Sequence, residues 1–212
     1  MPRHADPWAG RQSDAIKLVM AKTLPGGKIT VGNQAKTLLM QMHEKELMHA
    51  AETGERLYLP DKMGWAALQE DGARYRVYLN FQAMQANGER VQARSYQFIV
   101  DLKSKAVRAD DPATEQDLLT QNAELNFKHN PMAIDIDSIL GGVDTYNKHK
   151  VQMIIIRKSR SNRDERTHIE TALKAAQARI LRAILYFRRT YPDKALQNVA
   201  RAYNFTELVN GK

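Results

Sequence analysis

The chain has 212 residues, of which 43% are hydrophobic, and carries 32 Lys and Arg against 24 Asp and Glu for a formal charge of +8. That composition is too apolar for general disorder and too polar for a membrane bundle, and the length suffices for one large domain or two small ones. The absence of cysteine excludes disulfides, zinc-thiolate sites, iron–sulfur clusters and a cysteine nucleophile.

Residues 1–12 are polar, contain Pro2, Pro7 and Gly10, and read as a flexible arm. They lead into no apolar stretch of signal-peptide length, so the expected location is the cytoplasm. A periplasmic or membrane-peripheral location is expected if the chain is a piece of a longer protein. Ser13-Asp14 opens a short helix with Ile16, Val19, Met20 and Leu24 at helical spacing, ending at Pro25-Gly26-Gly27. Ile29-Thr30-Val31 predicts a brief strand. Residues 34–52 are rich in strong helix formers. Leu38, Leu39 and Met42 share one side of that helix and Leu47 and Ala51 another, which predicts contacts on more than one side.

The strongest pattern lies in the next segment. Tyr75, Val77, Leu79, Phe81 and Ala83 alternate with Arg74, Arg76, Asn80 and Gln82, the period of a half-buried strand. Asn87-Gly88 predicts a type I′ hairpin turn. A second strand carries Tyr96, Phe98, Val100 and Leu102 on one face. Trp65 to Leu68 and Ala106-Val107 fit outer strands, giving an antiparallel meander of about four strands that coils around the 34–52 helix.

Asp111 then caps a short helix with Pro112 at its first position, running to about Asn122. Residues 126–131 read as a loop. Ile134-Asp135-Ile136-Asp137 alternates as a strand does, with Asp137 capping a helix from Ser138 that Gly141-Gly142 interrupts. Residues 157–166 lack periodicity and read as an exposed linker. The last long helix spans about residues 166–190, with Ile169, Leu173, Ala176, Ile180, Ile184 and Phe187 on one stripe. Tyr191-Pro192-Asp193 turns the chain into a final helix reaching about Val209.

The expected fold class is α+β: N-terminal helices packed on a curved four-stranded antiparallel meander, then a helical C-terminal region. The layout resembles cystatin-like and NTF2-like folds, by analogy of topology alone. The expected organisation is an arm at 1–12, an α+β domain at 13–111, a connecting segment with short helices and a basic loop at 112–165, and a basic helical region at 166–212.

Charge is unevenly spread along the chain. Residues 1–150 hold 19 basic and 19 acidic residues, whereas 151–212 hold 13 and 5. Such asymmetry predicts an anionic partner for the basic end. Arg157, Lys158, Arg160 and Arg163, interspersed with Ser and Asn, suit phosphate oxygens. On the long helix Lys174, Arg182 and Arg189 point away from the apolar stripe, with Arg188 nearby. Leu181 and Leu185 sit among those cations, so the helix has a second apolar strip and a second contact. Arg74, Arg76 and Arg94, near Tyr78, read as an extension for single strands on the polar sheet face, in competition with cross-strand ion pairs to Glu70 or Glu89.

Catalytic and cofactor signals are weak. His43 and His49 are six residues apart, on opposite sides of a helix, rather than at the i, i+4 spacing of helical zinc sites. Asp135 and Asp137 form a carboxylate pair only if extended. Gly26-Gly27-Lys28 and Gly141-Gly142 lack phosphate-loop spacing. No catalytic residue, metal or cofactor is therefore assigned. The expected function is that of a non-enzymatic structural protein, which docks through its basic C-terminal helices onto subunits of a larger complex or its own copies. The alternatives are nucleic-acid binding through residues 157–189 and peripheral attachment to an anionic membrane by the long helix.

Overall fold

The computed structural model describes residues 6–120, 127–158 and 163–210. In chain order it has α1 (Gln12–Ala21), α2 (Val31–Thr53), β1 (Lys62–Asp71), β2 (Arg74–Met84), β3 (Arg90–Asp101), β4 (Ala106–Ala109) and α3 (Pro112–Thr114), which runs on as a π-helical segment, Glu115–Thr120. Then come α4 (Pro131–Lys158), α5 (Arg163–Thr190), α6 (Asp193–Ala202) and α7 (Thr206–Val209). The architecture is α+β, with one open antiparallel sheet in the order β1-β2-β3-β4. The chain divides into two compact units, Met1–His43 with Tyr58–Lys128 and Glu44–Leu57 with His129–Lys212.

In the first unit, alternation along β2 dictates the core. Tyr75, Val77, Leu79 and Phe81 are fully buried, joined from β3 by Tyr96, Phe98 and Val100 and from α1 by Ala15 and Val19. Phe81 meets Tyr96 edge-on with ring centroids 5.7 Å apart, the arrangement favoured by the ring quadrupoles. Leu38 and Leu39 of α2 pack on this cluster, whereas Leu47 and Ala51 belong to the core of the second unit. The helix thus makes two contacts, but they divide along its length: only the part up to His43 belongs to the sheet unit, so the meander does not coil around the whole of 34–52.

Local chemistry corrects three expectations here. α1 starts at Gln12 with Arg11 in the cap position, so Ser13-Asp14 lies inside the helix rather than capping it, and the helix ends at Ala21, before Leu24. No strand forms at Ile29 to Val31: Thr23 and Thr30 make an isolated bridge, and Val31 already starts α2. The β2–β3 hairpin does not use a type I′ turn. Gly88 has a positive φ of 84° and Asn87 does not. The Gly88 amide donates to the Gln85 carbonyl at 2.9 Å, and the Gln85 amide donates to the Glu89 carbonyl at 2.8 Å. This is a three-residue loop closed by a glycine bulge, the next most common hairpin solution.

The cap at α3 is as the sequence predicts. The Asp111 carboxylate accepts from the Thr114 amide at 2.8 Å and its hydroxyl at 2.6 Å. The same Thr114 hydroxyl accepts from the Gln97 amide at 2.9 Å, tying α3 to β3.

The second unit is helical and departs further from expectation. Neither a strand at Ile134–Asp137 nor a break at Gly141-Gly142 is present, because α4 runs unbroken for 28 residues. The Asn130 side chain accepts from the Met132 amide at 3.0 Å, so Asn130-Pro131 is a cap followed by a first-turn proline. Inside the helix Asp135 and Asp137 lie about 200° apart, so the carboxylate pair does not form, and Asp135 accepts from the Tyr191 hydroxyl at 2.8 Å. That bond pushes the Tyr191 phenol up to about 12. A Cβ on Gly142 would stand 3.0 Å from Ile180 Cγ1. The glycine lets α4 and α5 approach closely there, which offsets its poor helix propensity.

Of the stripe predicted on α5, Ala176, Ile180, Ile184 and Phe187 are buried, whereas Ile169 and Leu173 nearer its start are half-buried. Phe187, Ile136, Ile139, Leu196 and Val199 join Leu47 in one cluster. The final helix is shorter than expected. Asn204 adopts φ 57°, and the Phe205 amide donates to the Ala200 carbonyl at 2.9 Å. That bond closes a Schellman-type C-cap before α7 begins. Near the end of α2, Glu46 is 3% exposed and accepts from Arg56 Nε at 2.8 Å and the Tyr203 hydroxyl at 3.1 Å. The Arg56 guanidinium also lies 4.6 Å from the Tyr203 ring centroid.

Candidate functional site

The basic segment expected as an exposed linker over 157–166 is divided in the fold, because one helix reaches Lys158 and the next already starts at Arg163. Arg157 and Lys158 occupy the exposed last turn of α4, and Arg163 is the exposed first residue of α5. Arg160 lies outside the described residues. Cations at the end of α4 suit the helix dipole, whereas Arg163 at the start of α5 opposes it. From Arg163 to Arg189 the straight helix extends for about 39 Å. Residues 157–189 therefore make two patches rather than one.

The second patch lies near the C-terminal end of α5. Leu181 is 41% and Leu185 52% exposed, and Tyr186 beside them is 58% exposed. Arg182 donates from Nε to the Ala178 carbonyl of its own helix at 3.3 Å, and Arg189 is exposed. Arg188 is turned back on its own unit: Nε donates to Asp193 at 2.9 Å and Nη2 to the Val209 carbonyl at 3.0 Å. It fastens α5 to the ends of α6 and α7, so its charge is already engaged although the residue is exposed. Lys174 is exposed between the two patches. Among the described residues Arg157, Lys158, Arg163, Lys174, Arg182 and Arg189 form no ion pair.

Sequence reasoning missed a further set of exposed apolar residues. Val151, Ile154 and Ile155 of α4 are 55, 48 and 60% exposed, while Met153 and Ile156 are buried. Four successive apolar residues sweep about 300° around a helix, so the run from Met153 to Ile156 must place some of its members in solvent. Recognising the segment as helix is enough to reveal that signal.

The sheet does not extend the site. Arg74 and Arg76 pair with Glu70 at 3.1 and 2.8 Å, and Arg76 also pairs with Asp110. Arg94 shares the parity of Tyr96 and so lies on the core-side face, not on the polar face expected for it. It pairs with Asp117, which also accepts from the Tyr96 hydroxyl at 2.9 Å. Burial, helped by that bond, raises the Tyr96 phenol well above its ordinary range.

Among the described residues no group of three or more His, Asp or Glu is placed to hold a metal ion, and no helix is long and apolar enough to cross a membrane. Compared with protein-family models, curated proteins and solved structures, the chain finds no match.

Proposed function

We propose that the chain is a non-enzymatic assembly protein that docks into a larger complex through the helices of its second unit, with the cytoplasm as its location. The observation that carries this reading is the pair Leu181 and Leu185, 41 and 52% exposed and bordered by Arg182 and Arg189. Covering two half-exposed leucines returns roughly 1 kcal/mol each from water. An apolar centre with a charged rim is the anatomy of a protein interface. The fitting partner offers an apolar surface edged by Asp and Glu. A cystatin-like or NTF2-like body belongs to the same proposal, supported by the β1-β2-β3-β4 meander.

The test is purification of the tagged full chain from its native source, with and without the paired substitution Leu181→Ala and Leu185→Ala. The expected result is that specific subunits travel with the natural chain and are lost from the variant. An identical set of companions on both overturns the reading. Release by nuclease, with affinity falling steeply in salt, instead favours nucleic-acid binding at Arg157, Lys158 and Arg163. Flotation with anionic liposomes identifies a membrane partner.

A further inference from the structure

The β1 side of the sheet is a long open edge. β1 is ten residues long and among the described residues its only ladder is with β2. Alternate residues of such a strand turn their N–H and C=O groups away from the neighbour. Among the described residues, 62–70 make no backbone hydrogen bond outside that ladder. Proteins usually guard an edge of this length with interior charges or proline. The interior here, Met63 to Gln69, contains neither. Its regular pairing ends at the irregularity between Gln69 and Asp71, so the uniform stretch is centred on Ala66.

That stretch is complementary to itself. A two-fold axis perpendicular to a sheet places one residue of each edge strand opposite its own copy. With Ala66 on the axis, Ala66 faces Ala66, Trp65 faces Ala67, Gly64 faces Leu68 and Met63 faces Gln69. Every large side chain thus meets a smaller or flexible one. Leu68 is 61% exposed, and a Cβ on Gly64 would meet nothing within 4 Å, so the leucine has room above the glycine. Lys62 at one end comes opposite Glu70 at the other, twice per dimer, and beyond it Asp61 comes opposite Asp71.

We propose that β1 pairs antiparallel with β1 of a second copy, about an axis through Ala66, to make one continuous eight-stranded sheet. The seam uses backbone groups and small side chains of the first unit. It is independent of Leu181 and Leu185, so substitution there leaves it intact.

The chain has no cysteine of its own, which makes a single introduced thiol a clean probe. Directly opposed residues in antiparallel strands have Cα atoms about 4.5–5.5 Å apart, within the roughly 4.4–6.8 Å a disulfide spans. Ala66→Cys in the full chain is expected to cross-link to dimer under mild oxidation. Leu68→Cys, at a position that is also exposed, is expected not to, because its two copies would be offset by four residues, about 14 Å. Ala66→Lys sets two ammonium groups against each other and should leave a folded monomer by sedimentation and circular dichroism. Equal cross-linking of both cysteines, or of neither, overturns the proposal. So does a natural chain that sediments as a monomer at every concentration, or an extended segment of another protein found on β1.

Discussion

The sheet and the long helix α5 treat most of their arginines in opposite ways. In the sheet unit Arg11, Arg74, Arg76, Arg90 and Arg94 each hold a carboxylate. In the helical unit Lys174, Arg179, Arg182 and Arg189 line α5 with no ion pair among the described residues. Net charge separates the units far less. The first has 15 basic and 12 acidic residues, and the second has 17 and 12. Dividing the chain at residue 150 assigns the whole excess to the tail, but the compact unit also takes in the acids of Glu44–Leu57 and of α4. Partnering, which depends on the fold, separates Arg74, Arg76, Arg90 and Arg94 of the sheet from Arg179, Arg182 and Arg189 of α5, although the lysines of the first unit also form no ion pair among the described residues.

The comparison is broken most directly through the cores. Phe98 and Phe187 are both fully buried, one in each unit. Replacing either by Ala should cost about 3–5 kcal/mol. Phe98→Ala is expected to speed amide exchange in β2 and β3, and Phe187→Ala in α4 and α5. Exchange that rises equally throughout both units in either variant would show that they do not behave as separate packing units.

A smaller loss tests an ion pair of the helical unit whose carboxylate is buried. Glu46→Gln keeps the shape of the side chain but removes the charge facing Arg56 and the Tyr203 hydroxyl. Because Arg56 is 24% exposed, water can recover part of its solvation. The expected cost is about 1–3 kcal/mol by denaturant titration. The Tyr203 phenol, held high chiefly by burial and then by the Glu46 charge, should ionise at lower pH in the variant.

These magnitudes also show which parts of the fold the sequence could reveal. The alternation from Tyr75 to Ala83 is local, so burial follows from parity alone. The α5 stripe is legible for the same reason at the helical period. α4 is not, because its apolar residues face two directions and Gly141-Gly142 imitates a break. Yet Asn130-Pro131 carries the same start signal as Asp111-Pro112, and it passes for a loop only because no clean stripe comes after it. In the candidate site, Leu181 and Leu185 are legible as misfits on an otherwise regular stripe. The fate of Arg188 is not, since Asp193 and the Val209 carbonyl reach it only through the turns around α6. Arg76 likewise depends on Asp110, 34 residues away.

The glycine pair offers a test with opposite signs at neighbouring positions. Gly141 has open space where a Cβ would go, whereas at Gly142 that atom would press on Ile180. Gly141→Ala should stabilise the helical unit by roughly 0.5–1 kcal/mol, the propensity difference alone. Gly142→Ala gains the same propensity but forces α4 and α5 apart, so it should come out destabilising by about 1–2 kcal/mol. Thermal unfolding of the two variants side by side reads the sign. Stabilisation by both would mean that the helices do not need the close approach.

The smallest expected effect lies in the sheet unit, where two aspartates are tied to backbone amides. The Asp101 carboxylate, accepting from the Ser104 and Lys103 amides, is held below the usual carboxylate range. Asp111 is also lowered, since burial opposes its charge but the hydrogen bonds from Thr114 together outweigh it. A depressed carboxylate stabilises the fold fully above its unfolded pKa, near 4, and loses that contribution as pH falls through the folded value. Acid should therefore weaken α3 and the β3–β4 turn between pH 4 and those lowered values, with α5 amides as the reference in the same exchange experiment. Asp111→Asn separates charge from cap. Asparagine is as good an N-cap residue but does not titrate in this range. The variant should keep α3 at neutral pH and lose the acid-dependent part of its protection, and an unchanged acid profile would mean that Asp111 holds α3 by geometry and not by charge.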